Sequence, residues 1–408
     1  MLRIALRRPW LARIGTATAI GIATIGFWSP VMAAPDHMAA VPVAPLQLTL
    51  PAPTGPDHVG VVSLHLIDHA RRDPWVPAHP VRQLMISIWY PASDTARYPE
   101  APWLPPAAAA HFLQGMHIPP ALIRLPLTHG HEGAPVDRGA GRLPVVLFSP
   151  GSKMDRSSDT ALVEDLASHG YAVVTIDHTH DAGEVQFPDG HVEVSTLPPD
   201  SDAVNTEATA VREADVRFVL NEITALNAGH NPDVDRHALP RGLAGDLNLA
   251  RVGMFGFSIG GAATASAMHD DPRIKAGIDL DGTVYGPVAA TGLDRPFMFI
   301  SAQDNGRNVD PTWASLWAHL RGWRLDLRLA GAEHLTFSDG AVLYPQAAHA
   351  LGLTPAGLAQ LVGTINGERA IAAERAYVRA FFDLWLRHHD SHLLDKPSPR
   401  YPAMTFIA

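Results

Sequence analysis

Near the middle of the chain, Gly256-Phe257-Ser258-Ile259-Gly260-Gly261 sets a serine among glycines, directly after an apolar run and before a stretch of small residues. A nucleophile elbow needs that order: a strand aims the chain, the serine sits on a tight strained turn, and glycines let neighbouring backbone approach closely. The chemistry it supports is acyl transfer. A serine hydroxyl is a weak nucleophile until a base takes its proton, so a histidine must come within hydrogen-bond reach, held by an acid. The chain has 22 histidines and no cysteine, so thiolate chemistry and disulfides are excluded and serine is the credible nucleophile.

His334 stands apart from the other histidines because it lies in the loop Ala330-Gly331-Ala332-Glu333-His334-Leu335, after the last strand-like run. In folds built on this elbow the chain order is serine, acid, histidine. Two acids satisfy it: Asp281 follows one apolar run, and Asp304 follows the next, the position most proteins of this fold use. Spacing does not choose between adjacent strand ends. Asp279 reads as a residue within the strand or supporting the acid. An oxyanion hole needs two N–H donors. One is the amide of Ile259; the other falls in Pro150-Gly151-Ser152-Lys153-Met154, at Ser152 or its neighbour Lys153.

The elements that must position these residues are legible around them. Runs at 144–149, 171–176, 251–255, 274–280, 296–301 and 324–329 are apolar on both faces or nearly so, as strands of a buried parallel sheet are. Residues 58–67 and 82–90 read as opening strands. Between the later runs lie helical patterns, clearest at about 205–228 and 367–389. Strand and helix in alternation predict an α/β fold, a mostly parallel central sheet with helices on both faces, and with the elbow at Ser258 the expectation is the α/β-hydrolase fold. Residues 59–408 are expected to form one catalytic domain, with an irregular, proline-broken insertion at 91–141.

The sequence resembles the plasma-type platelet-activating factor acetylhydrolase family and its bacterial lipase and esterase relatives over roughly residues 82–389. The resemblance rests on Phe148-Ser149-Pro150-Gly151, Leu166-Ala167-Ser168-His169-Gly170, the Ser258 motif, the Leu280-Asp281 pair and the His334 loop with Phe337. It implies Asp281 as the acid, because that family's acid follows the earlier strand; related cutinases and lipases place it at the position of Asp304. It also implies short-chain or phospholipid-type acyl esters as substrates, with transient contact at a lipid interface. Residues 121–125 fall where the family has a membrane- or lipoprotein-contacting helix, although the prolines just before favour simple packing against the sheet. The departure is Pro150-Gly151, where family members often carry His-Gly.

Other features have plainer readings. His178, His180 and Asp181 could suggest a metal, but no third separated partner is evident in the sequence, so a structural or pocket-rim role is preferred. His129-Gly130-His131 reads as a polar loop. Trp313, Trp317 and Trp323 read as core packing rather than an acyl pocket. Asp339 either orients the His334 loop or caps the segment that follows.

With a formal charge of −10, the chain offers no broad basic surface, so nucleic acid is excluded as a partner. Arg3, Arg7, Arg8 and Arg13 precede an apolar run and a small-residue exit, the pattern of an export signal over residues 1–33. Arg7-Arg8 also matches a twin-arginine pattern, and the destination is secreted or periplasmic. Residues 34–58 read as a flexible Pro/Ala-rich lead-in. The expected activity is therefore an exported serine carboxylic-ester hydrolase needing no cofactor or metal, acting on a small-molecule or lipid ester. A lipase- or cutinase-like polyester hydrolase is the alternative, and from another class, a catalytically inactive binding protein on the same fold.

Overall fold

The computed structural model describes residues 44–408. The export segment, its arginine pair and the start of the Pro/Ala-rich stretch lie outside the described residues.

The chain enters through β1 (Leu46–Gln47) and the long β2 (His58–Asp68) and β3 (Arg82–Ala92). The proline-broken stretch contributes β4 (Glu100–Pro102), α1 (Pro106–Gly115), β5 (Ile123–Arg124) and β6 (Leu127–Glu132). Alternation then begins with β7 (Leu143–Ser149), α2 (Thr160–Ser168), β8 (Ala172–Asp177) and a hairpin of β9 (Glu184–Gln186) and β10 (Val192–Val194). It continues through α3 (Asp202–Asn227), β11 (Leu247–Phe257), α4 (Ile259–Asp270), β12 (Ile274–Leu280), α5 (Val288–Thr291) and β13 (Phe297–Ser301). The remainder is α6 (Pro311–His319), β14 (Arg324–Leu329), α7 (Gly340–Ala347), α8 (Pro355–Val362), α9 (Gly367–Arg387) and β15 (Met404–Phe406).

Eleven of these strands form one sheet in the order β15-β14-β13-β12-β11-β7-β8-β3-β2-β6-β4. The run from β8 through β14 is parallel, while β3 joins β8 and β15 joins β14 in antiparallel fashion. Side chains alternate across a strand, so β7, with every residue buried, feeds two cores. Val145 and Leu147 pack with α3, α4 and α6, whereas Val146 and Phe148 pack with α2 and α9. This is the α/β-hydrolase architecture expected from the sequence.

Two regions differ from the expectation. The stretch at 91–141 is not only an irregular excursion, because β6 pairs in parallel with β2 and carries β4, extending the sheet. His129 and His131 therefore lie in a strand, with His129 Nδ1 2.9 Å from Glu164 Oε2. Nor does the lead-in stay loose up to residue 58. β1 pairs with β5, Leu48 and Leu50 are buried, and Arg375 donates to the carbonyls of Pro51 and Ala52. Proline lacks an N–H but keeps its carbonyl, so a proline-rich segment is held through its acceptors and its alternate leucines. Residues 121–125 form no helix; Ile123 and Arg124 are β5, and Ile123 is buried.

Candidate active site

β11 ends at Phe257 and α4 starts at Ile259, leaving Ser258 alone between them at φ 56° and ψ −124°. A non-glycine residue at positive φ costs about 1–3 kcal/mol and persists only where its surroundings hold it. Here the Ser258 N–H donates to the Leu280 carbonyl at 2.9 Å, tying the turn to the end of β12. The flanking glycines are required by contact. A Cβ on Gly256 would lie 2.1 Å from the Gly260 backbone, and one on Gly260 would lie 1.9 Å from the Ser149 carbonyl oxygen. Strand, turn and the loop after β7 thus close on one another only with no side chain at either position.

His334 begins a single 3-10 turn whose Glu333 and Thr336 form a reciprocal cap. Its Nε2 lies 3.0 Å from Ser258 Oγ and its Nδ1 2.6 Å from Asp281 Oδ2. The Phe257 ring packs on the imidazole, with centroids 4.7 Å apart. Asp281, itself at φ 56°, is nearly fully buried, and its Oδ1 accepts from the Ala302 N–H at 2.8 Å and from Asn305 Nδ2 at 2.9 Å. Each carboxylate oxygen therefore has a separate task. Asp304 is exposed; the carboxylate hydrogen-bonded to the His334 imidazole is that of Asp281. Asp279 is buried in β12 and accepts from the Gly282 N–H at 2.8 Å. Burial, reinforced by the neighbouring Asp281, pushes its carboxyl well above the usual carboxylate range, although the Gly282 bond opposes this.

The loop after β7 lies against the start of α4, since Gly260 abuts the backbone of Ser149 and Pro150. Arg212, completely buried on α3, uses all of its N–H donors around this loop. Nε and Nη2 each donate to Asp181 at 2.7 Å, Nη2 to the Gly151 carbonyl at 3.1 Å, and Nη1 to Ser149 Oγ at 3.2 Å and to the Pro150 carbonyl. The peptide bonds here are trans, so a carbonyl and the N–H that follows it point in opposite directions. Holding the Gly151 carbonyl inward turns the Ser152 N–H away from the buried guanidinium. Ile259, the first residue of α4, has an amide without an intrahelical acceptor.

Behind this loop lies a second Ser-His-Asp set. His178 Nε2 lies 3.0 Å from Ser149 Oγ and its Nδ1 3.0 Å from Asp215 Oδ2, and all three are fully buried. Burial, aided by the Arg212 guanidinium, holds the His178 imidazole down to about 4 against the pull of Asp215. Burial alone would raise the Asp215 carboxyl, but Arg82 and His178 overcome it and hold it well below the usual carboxylate range. Arg82, Arg212 and Asp215 escaped the sequence reading. The available signal was register: Arg212 and Asp215 fall on the buried stripe of α3 with Val216, Val219 and Ile223.

Asp339 is bonded through both carboxylate oxygens to α2 and the insertion, accepting from the Thr160 and Ala161 N–H groups at the start of α2 and from Trp103 Nε1. Burial pushes its carboxyl up to about 7 despite these donors. Trp313 is fully buried against Phe299, and Trp323 packs on Phe381 and Trp385, while Trp317 lies beneath the guanidinium groups of Arg307 and Arg324.

Residues 44–354 match the family model for platelet-activating factor acetylhydrolase, isoform II. A probable 1-alkyl-2-acetylglycerophosphocholine esterase from Arthroderma benhamiae is 32% identical over 279 residues, 65% of this chain and 66% of that protein. The platelet-activating factor acetylhydrolase of Cavia porcellus is 24% identical over 40% of each chain. The matched stretch thus spans just under two-thirds of the fungal relative and two-fifths of the mammalian one. Among solved structures, a ferulic acid esterase from Streptomyces cinnamoneus superposes with a TM-score of 0.75 at 33% identity, covering 88% of this chain and 99% of that one.

Proposed function

This chain belongs to the platelet-activating factor acetylhydrolase isoform II family, and from that membership and the geometry at Ser258 we propose that it is a serine carboxylic-ester hydrolase. The observation that carries the reading is the continuous contact from Ser258 Oγ through the His334 imidazole to Asp281. His334 Nε2 takes the Ser258 proton as Oγ attacks the ester carbonyl. Asp281, an acceptor at Oδ2, keeps the other proton on Nδ1 and stabilises the imidazolium that forms. The Ile259 and Ser152 N–H groups receive the negative charge that develops on the carbonyl oxygen. His334 then returns its proton to the leaving alcohol, and water, activated by the same imidazole, releases the acid from the acyl-enzyme.

The substrates that fit the family are small or lipid esters with a short acyl group, which the fungal relative's name specifies as a 2-acetyl glycerophosphocholine. The N-terminal arginines and apolar run support export. Ser258→Ala should abolish turnover of p-nitrophenyl acetate and labelling by a fluorophosphonate; a folded variant that keeps either would sink the proposal. An acyl-length series from acetyl to long-chain esters, with a polyester film as the last substrate, fixes the class. Rates that fall beyond short acyl groups support the acetylhydrolase reading, and a preference for long chains or film replaces it with the lipase or cutinase one.

A further inference from the structure

The sequence places His180 beside His178 and Asp181 but supplies no distant partner for a metal; the fold does. We propose that His79, His180 and Glu193 form a site for a borderline divalent cation of the zinc type, separate from Ser258. Their donor atoms come from three segments of chain, the loop between β2 and β3, the turn after β8, and β10, and all lie within 4.8 Å of one another. Two imidazoles and one carboxylate with an open position form a common zinc donor set.

The second shell fits as well. Asp73 Oδ2 lies 2.9 Å from His180 Nδ1 and also accepts from Arg82 at 2.7 Å, while its Oδ1 accepts from the Trp75 and Val76 amides. A carboxylate so fixed is an acceptor, so it holds a proton on Nδ1, and a cation at Nε2 takes the place of the hydrogen bond to Glu193 Oε2. That is the carboxylate–histidine–metal arrangement that orients ligands in metal sites. His180 Nε2 is 3.1 Å from Glu193 Oε2, close to the ligand–ligand edge of about 3.3 Å that bonds of roughly 2.0–2.1 Å give in a tetrahedron. His79 stands edge-on to His180, centroids 5.2 Å apart, with no side-chain hydrogen bond among the described residues. His180 is itself held at φ 67°, and its carbonyl accepts from the Thr196 N–H at 2.8 Å, so the turn that presents the ring is strained and braced. The remaining position falls to water, or to His191, whose Nε2 is 3.9 Å from Glu193 Oε1.

Two other His/Asp groups provide the contrast. Asp233, Asp235 and His237, and Asp390, His392 and Asp395, each come from one short loop, and most of their members are exposed. A cation bound at His180 instead joins three segments and lies one residue from Asp181, which grips Arg212. The expected consequence is a stiffer hairpin and loop.

The test uses chelator-stripped protein titrated with Zn2+ against a chromophoric chelator. Wild type should bind one equivalent, with its unfolding midpoint raised by the metal. His79→Ala and Glu193→Gln lie at the partly exposed rim, and each should weaken that equivalent at least tenfold and remove the midpoint shift, while His237→Ala and His392→Ala leave both unchanged. No stoichiometric Zn2+ on the wild type overturns the proposal, as does equal affinity in the rim variants or a loss confined to the controls. Co2+ on the wild type gives a reading that needs no variant: intense visible bands of a four-coordinate nitrogen and oxygen site support it, and the spectrum of hexa-aquo Co2+ refutes it.

Discussion

Replacing Asp281 by asparagine tests the acid through its two differently bonded oxygens. Oδ1 accepts from the Ala302 N–H at 2.8 Å and from Asn305 at 2.9 Å, while Oδ2 faces His334 Nδ1 at 2.6 Å. In Asp281→Asn the amide oxygen must take the place of Oδ1, since both groups there are donors, so the new NH2 points at the imidazole. His334 then accepts at Nδ1, carries its proton on Nε2, and cannot take the one on Ser258 Oγ 3.0 Å away. The wrong tautomer in a serine triad costs about 10⁴ in kcat, equivalent to about 5 kcal/mol of barrier. Folding should suffer little because the Oδ1 bonds survive. The assay is kcat on p-nitrophenyl acetate near neutral pH, with the rate of fluorophosphonate labelling beside it; both should fall together. Asp304→Asn, at an exposed side chain, should stay within about twofold. A loss below tenfold at Asp281, or a comparable loss at Asp304, refutes the tautomer argument.

The remaining predictions concern the buried network behind the site. Arg212→Lys removes the fork that holds the Pro150 and Gly151 carbonyls, so a folded variant should lose about 10² in kcat with KM nearly unchanged. Affinity for a trifluoromethyl ketone, which reports the oxyanion hole, should fall in parallel, and a kcat within threefold of wild type would show that the loop is held without the arginine. His178 has its pKa held down to about 4, below the 6.5 of the unfolded chain, so the unfolded state binds the extra proton between those values. Its contribution is therefore full above pH 6.5 and is lost as pH falls to 4, by about 3 kcal/mol. Urea unfolding across that range should show wild type losing about that much more than His178→Gln; parallel curves would remove His178 from the acid limb.

How much of this was legible in the sequence follows from burial on two faces. Strands β7, β8 and β11 to β13 read correctly because both sides of each face a core, which leaves a largely apolar run, whereas β14, Arg-Leu-Asp-Leu-Arg-Leu, is legible from its alternate leucines. β6, Leu-Thr-His-Gly-His-Glu, carries no such run: Leu127 and Glu132 are exposed, and its place in the sheet comes from pairing with β2. Leu48 and Leu50 were hidden among prolines for the same reason, since their partners are α1, α7 and β5, far along the chain. Ser258 and His334 could be named from local context. The acid could not be chosen from spacing, because what distinguishes Asp281 is the pair of donors, Ala302 and Asn305, that the next strand's loop delivers to its other oxygen.

The two Ser-His-Asp sets show why residue types alone do not make a site. Ser149, His178 and Asp215 repeat the contacts of Ser258, His334 and Asp281 to within about half an ångström, yet no ester can reach a hydroxyl at zero exposure. The surroundings differ in kind as well. His178 faces the Arg212 cation, which disfavours the protonated ring that a general base must become, and Ser149 Oγ accepts from that same guanidinium. The His334 ring instead stands partly open, its side chain 31% accessible, with Asp281 behind it and Phe257 against its face. In the buried set the proton cannot move usefully, so its hydrogen bonds serve to fix the strand end and the loop that carries Ser152, the proposed oxyanion donor. On this reasoning Ser149→Ala should slow ester turnover only as far as it shifts that loop, far less than Ser258→Ala; a loss equal to that of Ser258→Ala in a folded protein would mean that the inner set takes part in the chemistry.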